Sequence, residues 1–340
     1  MPTTLCSRPS GQAGGPRRPA RLRVLAAGVL VLAACGEPTT DAGTAAQDLT
    51  LYTCLSDETV QPVIAAFEDS APGASVDLFR APTGELNARV AADVRSGGLR
   101  ADVFWGCDPL TVQDLVDQGL VGGWTPPEAD AIPAQFRTAD YVGAHLLYMV
   151  AVHRTDVPAP ATWADLPAAG RTVAVPDPSV AASALGALGW FAADPGYGLD
   201  FYQRLADAGA VQVRTPDEVT TGVAQGLYDL GMTTANSAYA AVDDGSPVAV
   251  AWPQPGAVAV YGPVALATAS ADSAVAQDFI SFAVGPEGQQ TIGASGSYPT
   301  RPGVTGPSVP AGAPVVHPDW TSIAADRDAV LGGYQRVFGG

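Results

Sequence analysis

The sequence predicts a mixed α/β protein of two lobes separated by a cleft. Patterns typical of a strand followed by a helix alternate three times between residues 49 and 119, and the alternation resumes after residue 172. Such alternation is typical of parallel sheets with right-handed crossovers. Apolar strands between the two parts would cross from one lobe to the other. We therefore expect two lobes that close on a small ligand by a hinge motion.

Three strand–helix units are predicted in the first part of the chain. Asp108 before Pro109 is a strong helix start, because Asp caps a first turn and Pro suits the first helical position. The strands are predicted at 49–53, 74–79 and 101–105, and the helices begin after Ser56, at Thr83 and after Asp108. Ligands bind beyond the carboxyl ends of such strands. Those ends here are residues 54–56, 81–84 and 106–108.

The second part of the chain repeats this organisation. An apolar strand at 146–152 is predicted to cross to the second lobe. Thr215 before Pro216 indicates another helix start. Further strands are predicted at 172–175, 211–214, 230–233, 247–252 and 257–266. Further helices are predicted at 179–192, 199–208, 216–228, 236–242, 273–284, 286–292 and 319–338.

The amino-terminal segment has the features of a secretion signal. Four arginines between residues 17 and 23 precede an apolar run over residues 24–34. That run is too short to span a bilayer, which takes about 20 apolar residues. Cys35 directly follows Leu-Ala-Ala, a pattern that resembles the bacterial lipobox, so we expect cleavage before Cys35 and its acylation. The alternative is a plain signal peptide with a chance cysteine. Residues 36–48 are small and polar, which is typical of a flexible tether.

Composition excludes one large class of partner. The chain has 17 basic residues, all of them arginine, against 34 acidic residues. Removal of residues 1–35 would take away five arginines and no acidic residue. Affinity for nucleic acid comes mainly from neutralising phosphates, so this chain is not expected to bind nucleic acid. No second long apolar segment follows the first, and no further membrane crossing is predicted.

Two cysteines remain after the predicted processing. Cys6 leaves with the signal and Cys35 is the lipid site, which leaves Cys54 and Cys107. Two such thiols in an oxidising exterior usually pair. A thiolate site for a soft metal and two free thiols are the alternatives. A secreted redox or metal enzyme that uses this pair is the competing functional class, although the spacing is not C-x-x-C and no acid–base set converges.

Seven motifs, in order, resemble the extracellular solute-binding proteins of ABC importers. They cover nearly all of residues 49–305 and read LTLYTCLSDETVQPVIAAFE, TGEL, ADVFWG, TPPEADAIP, TWADL, VAVPDPS and GPEGQQTIGASGSYPTRPGV. The resemblance is strongest to the ferric-iron-binding branch, with its aminophosphonate- and thiamine-binding relatives. It implies the two-lobed periplasmic-binding-protein fold of type 2, the Venus flytrap. We assign 49–140 and 255–300 to the first lobe, and 141–254 and 301–340 to the second.

The resemblance also implies positions for ligand-binding residues. The ferric branch holds its metal with a His or Glu after the first strand, a carboxylate after ADVFW, and a pair of tyrosines after the DLG segment. This chain has Cys54, Cys107 and Asn236-Ser237 at those positions, with Asp108 adjoining the second. Fe³⁺ prefers phenolate and carboxylate oxygens, whereas thiolates suit softer metals. The family places the first strand beside the third, which would bring the two cysteines within reach of a disulfide.

The candidate ligand-binding residues include Asn236, Ser237 and Tyr239, which lie at the family's ligand positions; capping of the following helix is the alternative there. Free N–H groups at helix N-termini attract anions, and such N-termini are expected at Thr83-Gly84 and at 179–183. In the ferric branch a synergistic anion occupies the place of residues 179–181. Ordinary capping is the alternative. Trp105 and Tyr261 could form aromatic walls for an organic cation or belong to the core. The full set is Ser56, Thr83, Gly84, Trp105, Asp108, Ser179, Ala181, Ser183, Asn236, Ser237, Tyr239 and Tyr261. No metal ligand is assigned, and His145, His153 and His317 are predicted to be surface or core residues.

Together these features predict a lipid-anchored substrate-binding protein of an ABC transporter, located outside the cytoplasm. It is expected to be a monomer that binds a small solute without altering it and delivers it to an ABC permease. The predicted ligand is ferric iron or a small organic solute such as an aminophosphonate, thiamine or a polyamine. No cofactor is predicted, apart from Fe³⁺ and its anion as cargo. A ligand-sensing lipoprotein without transport is the remaining alternative.

Overall fold

The computed structural model describes residues 47–168 and 170–339. The predicted signal peptide, the predicted lipid site at Cys35 and nearly all of the predicted tether lie outside the described residues. Within these ranges, no helix combines the length and the apolar character that a membrane span requires.

The described residues form a single mixed sheet of 11 strands. Its path is β2-β1-β3-β9-β4-β7-β5-β6, with β8 and β10 paired to β4, and β11 paired to β9. The strands are β1 (Gln47–Thr53), β2 (Ala74–Arg80), β3 (Val103–Trp105), β4 (Val142–Arg154), β5 (Val173–Pro176), β6 (Val211–Val213), β7 (Leu230–Thr234), β8 (Val248–Ala251), β9 (Ala257–Leu266), β10 (Tyr298–Pro299) and β11 (Val315–Val316).

Two parallel groups of strands lie at opposite ends of this sheet. β1 pairs in parallel with β2 and β3, and β5 pairs in parallel with β6 and β7. The long strands β4 and β9 lie between the groups and run antiparallel to each other. β9 pairs with β3 and β4 pairs with β7, both antiparallel. The predicted α/β alternation is therefore confirmed, and the crossing strands join both halves into one sheet.

Ten α-helices connect and cover these strands within the described ranges. They are α1 (Asp57–Ser70), α2 (Thr83–Arg95), α3 (Pro109–Asp117), α4 (Ala182–Ala193), α5 (Asp200–Asp207), α6 (Pro216–Ala224), α7 (Ala235–Asp243), α8 (Ala274–Val284), α9 (Pro286–Ala294) and α10 (Trp320–Phe338). We call the part built on β1–β3 and α1–α3 the first lobe. The part built on β5–β7 and α4–α7 is called the second lobe.

Several predicted helix starts are confirmed at atomic detail. The carboxylate of Asp108 accepts the N–H of Thr111 at 2.8 Å, which caps α3. The hydroxyl of Thr215 accepts the N–H of Glu218 at 3.3 Å in the same way at α6. Each bond satisfies a backbone donor that the first turn of a helix would otherwise leave unpaired.

Two predicted helix boundaries are wrong, each for a local reason. α4 begins at Ala182 instead of residue 179, because Asp177 accepts both the N–H and the hydroxyl of Ser179, at 2.8 Å and 2.7 Å, and holds a turn there. α6 ends at Ala224 and not at residue 228. Gly226 has φ +74°, a left-handed conformation that ends a helix.

The apolar interior divides into separate cores. The core of the first lobe includes Phe67, Trp105 and Phe279, and the second lobe has a core around Trp163 and Phe191 on one side of its sheet. A smaller core covers the other side of that sheet. Helix α10 packs against α4 and α5. The lobes also meet directly in a small fourth cluster, where Leu110 of α3 packs with Leu185 of α4 and Ile323 of α10.

Candidate functional site

A cavity of about 100 Å³ lies between the two lobes. It lies beyond the carboxyl ends of the six parallel strands, three from each lobe, as expected for an α/β sheet. The crossing strand β4 forms part of its base. The lining residues are Cys54, Leu55, Ser56, Thr59, Arg80, Pro82, Thr83, Cys107, His145, Leu147, Val180, Ala181, Ala182, Ser183, Thr215, Pro216, Asp217, Thr234, Asn236 and Ser297.

A disulfide forms part of the cavity wall. Cys54 and Cys107 are bonded, with their Cα atoms 5.9 Å apart. The pairing follows from the sheet, since Thr53 and Trp105 are direct partners where β1 lies beside β3. The expected disulfide is thus confirmed. The two alternatives, a thiolate metal site and two free thiols, both require unbonded sulfur atoms and do not agree with the structure. Such a bond closes a 53-residue separation and stabilises the fold by about 4 kcal/mol in the chain-entropy model.

Five helices begin at the cavity; α6 is capped by the side chain of Thr215, and the other four lack such a cap. The residue before the first turn is Ser56 in α1, Pro82 in α2, Ala181 in α4 and Thr234 in α7, and each of these lines the cavity. None of the four has a side-chain capping hydrogen bond. The first turns therefore present backbone N–H groups and the positive ends of helix dipoles toward the cavity.

The charged side chains of the lining are one arginine and one aspartate. Arg80 donates its Nε–H to the carbonyl oxygen of Leu55 at 2.8 Å, which anchors the side chain in the first lobe. It makes no ion pair among the described residues. Asp217 lies across from it in the second lobe and is exposed. With four helix N-termini added to Arg80, the cavity favours a negatively charged group.

The two lobes touch beside the cavity. The N–H of Gly84 donates to the carbonyl oxygen of Val180 at 3.2 Å, which links α2 to the segment before α4. Arg214 of the second lobe forms an ion pair with Glu85 of the first. Both partners of that pair are more than half exposed, so the pair itself adds little free energy. These contacts describe a closed arrangement of the lobes.

The cavity adjoins a wider groove of about 930 Å³. Ser56, Thr59, Asp217 and Asn236 line both spaces, so the groove leads into the cavity. Tyr239 lies along the groove, where its hydroxyl accepts the indole N–H of Trp252 at 3.0 Å. The groove and the cavity thus share part of their walls.

The predicted site residues are distributed over three places. The cavity is lined by Ser56, Thr83, Ala181, Ser183 and Asn236. The adjoining groove is lined by Ser237 and Tyr239, together with Ser56 and Asn236. Gly84, Trp105, Asp108, Ser179 and Tyr261 are outside the lining of both spaces.

The residues outside the lining have other surroundings. Gly84 and Ser179 belong to the contact between the lobes, since a Cβ added to Gly84 would lie 3.1 Å from the carbonyl oxygen of Ser179. Asp108 is fully buried as the cap of α3, and burial raises the pKa of its carboxyl. Tyr261 packs against Phe136 in the core. Trp105 is buried behind the cavity, beside His145.

Besides the two cysteines, seven polar residues of the lining were not predicted as ligand contacts: Thr59, Arg80, His145, Thr215, Asp217, Thr234 and Ser297. Arg80 is the last residue of β2. Ligands bind near the carboxyl ends of parallel strands, so this position could have been predicted, but the segment expected to contact the ligand was 81–84. His145 had been predicted as a surface or core residue. It is 1% exposed and lines the cavity from β4. A single histidine within an apolar strand carries no sequence signal for a binding role.

The donor set of the cavity does not suit ferric iron. Cys54 and Cys107 are bonded to each other, which leaves His145 and Asp217 as the metal-ligand side chains of the lining. No tyrosine lines the cavity. Across the described residues, no group of three or more His, Cys, Asp or Glu side chains is placed to hold a metal ion. Fe³⁺ prefers several phenolate and carboxylate oxygens.

Comparison with known proteins gives one family and many similar folds. A family model described as bacterial extracellular solute-binding protein matches residues 49–297. No curated protein matches the chain in sequence. The periplasmic binding protein AfuA from Actinobacillus pleuropneumoniae, solved with fructose-6-phosphate, has a TM-score of 0.77 at 17% identity, over 86% of this chain and 98% of its own.

Two other solved structures have similar folds. The apo ferric ion-binding protein A of Pasteurella haemolytica has a TM-score of 0.72 at 19% identity, over 86% of this chain and 98% of its own. A periplasmic thiamin-binding protein has a TM-score of 0.71 at 24% identity, over 86% of this chain and 96% of its own. At these sequence identities the similar structures support the two-lobed fold but do not identify a ligand for this chain.

Proposed function

Because the chain belongs to the bacterial extracellular solute-binding protein family, we propose that it captures a small solute in the interlobe cavity and delivers it to an ABC permease. One observation carries the proposal: the carboxyl ends of six parallel strands, three from each lobe, converge on one cavity. Both lobes would then hold the same solute, so that binding favours the closed arrangement. The chain would release the solute unchanged.

The cavity favours a small organic anion among the expected ligands. Four uncapped helix N-termini and Arg80 face it, against the single carboxylate of Asp217. Phosphate, phosphonate and carboxylate groups suit such surroundings. Among the similar folds, the AfuA structure holds fructose-6-phosphate, an organic phosphate. Ferric iron fits less well, because the lining lacks tyrosine and offers one carboxylate.

A thermal-shift screen of the purified full-length protein tests this function. The solutes are 2-aminoethylphosphonate, fructose-6-phosphate, thiamine, spermidine and ferric citrate. A ligand at 100 times its dissociation constant stabilises the folded state by about 2.7 kcal/mol, which raises the melting temperature measurably. We expect an oxyanion-bearing organic solute to do so. If no member of an extended panel of small solutes changes the melting temperature, the receptor function is wrong.

We also propose that the protein is held at the outer face of the cell membrane by lipid on Cys35. The support is the sequence pattern alone, a short apolar run closed by Leu-Ala-Ala-Cys. Two or three acyl chains would anchor the protein firmly, since each buried CH₂ contributes about 0.8 kcal/mol. Metabolic labelling with a radioactive fatty acid should mark the wild-type chain in the membrane fraction and leave Cys35→Ser unlabelled. Equal labelling of the two proteins would contradict the anchor.

A further inference from the structure

We propose that His145 is a ligand-binding residue that donates its Nε2–H to an oxyanion oxygen of the solute at the base of the cavity. This inference rests on the proposed function, because it assigns one contact within the same cavity. His145 and Leu147 are two residues apart on β4, so their side chains lie on one face of the sheet, and both line the cavity. With 1% of its surface exposed, His145 has no access to bulk water.

The position of the imidazole proton follows from Trp105. The indole Nε1–H of Trp105 lies 3.1 Å from Nδ1 of His145. An indole nitrogen can only donate, so Nδ1 must accept and carries no proton. Burial lowers the pKa of His145 from 6.5 to about 3, which keeps the ring neutral at ordinary pH. A neutral ring with an unprotonated Nδ1 carries its proton on Nε2.

The packing of the ring leaves its Nε2 edge for the cavity. A Cβ added to Gly262 would lie 1.9 Å from Cε1 and 2.6 Å from Nδ1 of His145. The backbone of Gly262 therefore lies against the Cε1 and Nδ1 atoms of the ring. Nδ1 also accepts the hydrogen bond from the indole N–H of Trp105. His145 lines the cavity, and we infer that the Nε2–Cδ2 edge, which neither Gly262 nor Trp105 covers, is the part of the ring next to it, although the Nε2 atom itself is buried.

The Nε2–H has no hydrogen-bond partner in the protein. Eight buried side-chain atoms of the described residues lack a partner, and two of them belong to the cavity lining: Nε2 of His145 and Oδ1 of Asn236. A buried donor without a partner costs roughly 1–3 kcal/mol, so native proteins rarely retain one without a use. Two such atoms at one cavity indicate that a polar solute forms the missing hydrogen bonds with them.

The helix N-termini around the cavity determine which kind of solute atom accepts the hydrogen bond from His145. The N-termini of α1, α2, α4 and α7 surround the same cavity and favour negative charge. A neutral N–H donor adds a hydrogen bond to such an anion without a charge of its own. The ammonium group of a polyamine would instead place donor against donor. His145 therefore selects for a solute whose deeply placed end is an oxyanion.

The test compares two histidines of the same strand. In His145→Asn the shorter side chain can still accept the Trp105 N–H near the former Nδ1 position, but the Nε2–H is lost. In His145→Gln the amide reaches the former Nε2 position and can still donate. The control is His153→Asn, also on β4, because His153 binds backbone oxygens of Arg154 and Val157 and is not in the lining.

The full-length proteins are titrated calorimetrically with inorganic phosphate, 2-aminoethylphosphonate and fructose-6-phosphate. For the probe that binds best, we expect His145→Asn to lose roughly ten- to hundredfold in affinity, the value of one hydrogen bond to a charged group. His145→Gln should lose less, and His153→Asn should match the wild type. In ¹⁵N-histidine spectra of the wild type, the probe should shift the Nε2 resonance of His145.

Each other outcome overturns the inference. If a probe binds but His145→Asn keeps wild-type affinity while melting like the wild type, His145 makes no ligand contact. If His145→Asn melts lower, the absence of any Nε2 shift in the wild type leads to the same conclusion. If only thiamine or spermidine binds, the oxyanion assignment is wrong and the receptor function stands. If no solute of any class binds, the proposed function fails as well.

Discussion

Gly84 lies in a close backbone contact between the lobes. Its N–H donates to the carbonyl oxygen of Val180, and a Cβ at this position would lie 3.1 Å from the carbonyl oxygen of Ser179 and 3.4 Å from the Cα of Val180. Both neighbours are backbone atoms, which cannot turn aside as a side chain can. Gly84 lies in the first turn of α2 at an ordinary negative φ. Glycine is therefore needed here for closure and not for backbone conformation.

Gly84→Ala is accordingly predicted to weaken solute binding without weakening the fold. The added methyl would oppose closure by about 1 kcal/mol, which lowers affinity roughly fivefold. Alanine also favours a helix over glycine by up to about 1 kcal/mol, so the melting temperature without solute should not fall. Calorimetric titration and thermal melting measure the two effects separately.

Gly332→Ala is the matched control for this prediction. A Cβ at Gly332 on α10 would meet only the mobile end of Arg336, at 3.6 Å. Its affinity for solute should equal that of the wild type. A Gly84→Ala protein that binds with wild-type affinity would show that the contact with Val180 is not formed in the bound state.

At the scale of elements, strands β1 and β3 end side by side and are joined there by the disulfide. Cys54 is partly exposed on the cavity wall, whereas Cys107 is buried. The bond fixes the loop after β1 to the loop before α3, and both loops line the cavity. The disulfide thus stabilises the fold and holds one wall of the binding cavity in place.

The double variant Cys54→Ser/Cys107→Ser is predicted to lose stability by about 4 kcal/mol, because its unfolded chain is no longer constrained by the loop. Urea unfolding followed by tryptophan fluorescence measures this loss as a lower midpoint. Reduction of the wild type with dithiothreitol should lower the midpoint similarly and leave the double variant unchanged. Equal midpoints for the variant and the oxidised wild type would mean that the bond does not form in the protein.

The Ala-rich helix α4 was predicted correctly as a buried helix, but the sequence did not show which element it packs against. The sequence did not reveal what Gly186 and Gly189 are for. A Cβ at Gly186 would lie 2.9 Å from the ring of Trp320, and one at Gly189 would lie 2.6 Å from Ile323. The two glycines form a groove for α10, a partner more than a hundred residues further along the chain.

For the whole molecule, the shared sheet explains how two lobes can both hold one solute. β4 pairs with β9 and also with β7, and β9 continues to β3. The two crossing strands together therefore link β3 of the first lobe to β7 of the second and join both lobes in one sheet. The N-termini of α1 and α2 from the first lobe and of α4 and α7 from the second then face one cavity.

The acidic composition of the whole chain did not predict the character of the cavity. The chain carries 34 acidic residues against 17 basic ones, a balance that suggests attraction to cations. The preference that we propose for the cavity is the opposite, because it rests on backbone dipoles and one arginine, and composition does not count dipoles.

The sequence by itself determined the α/β alternation, most of the helix starts and the family resemblance. These depend on residues close together in the chain: an N-cap such as Asp108, a turn glycine, or an apolar run the length of a strand. Only the tertiary structure decided which side chains meet at the cavity. His145 became a candidate ligand contact because Trp105 and Gly262, both distant in sequence, fix its ring. Asp108 and Tyr261 were predicted to contact the ligand but are buried in the interior. Burial depends on neighbours that are distant in sequence, so the local sequence does not show it.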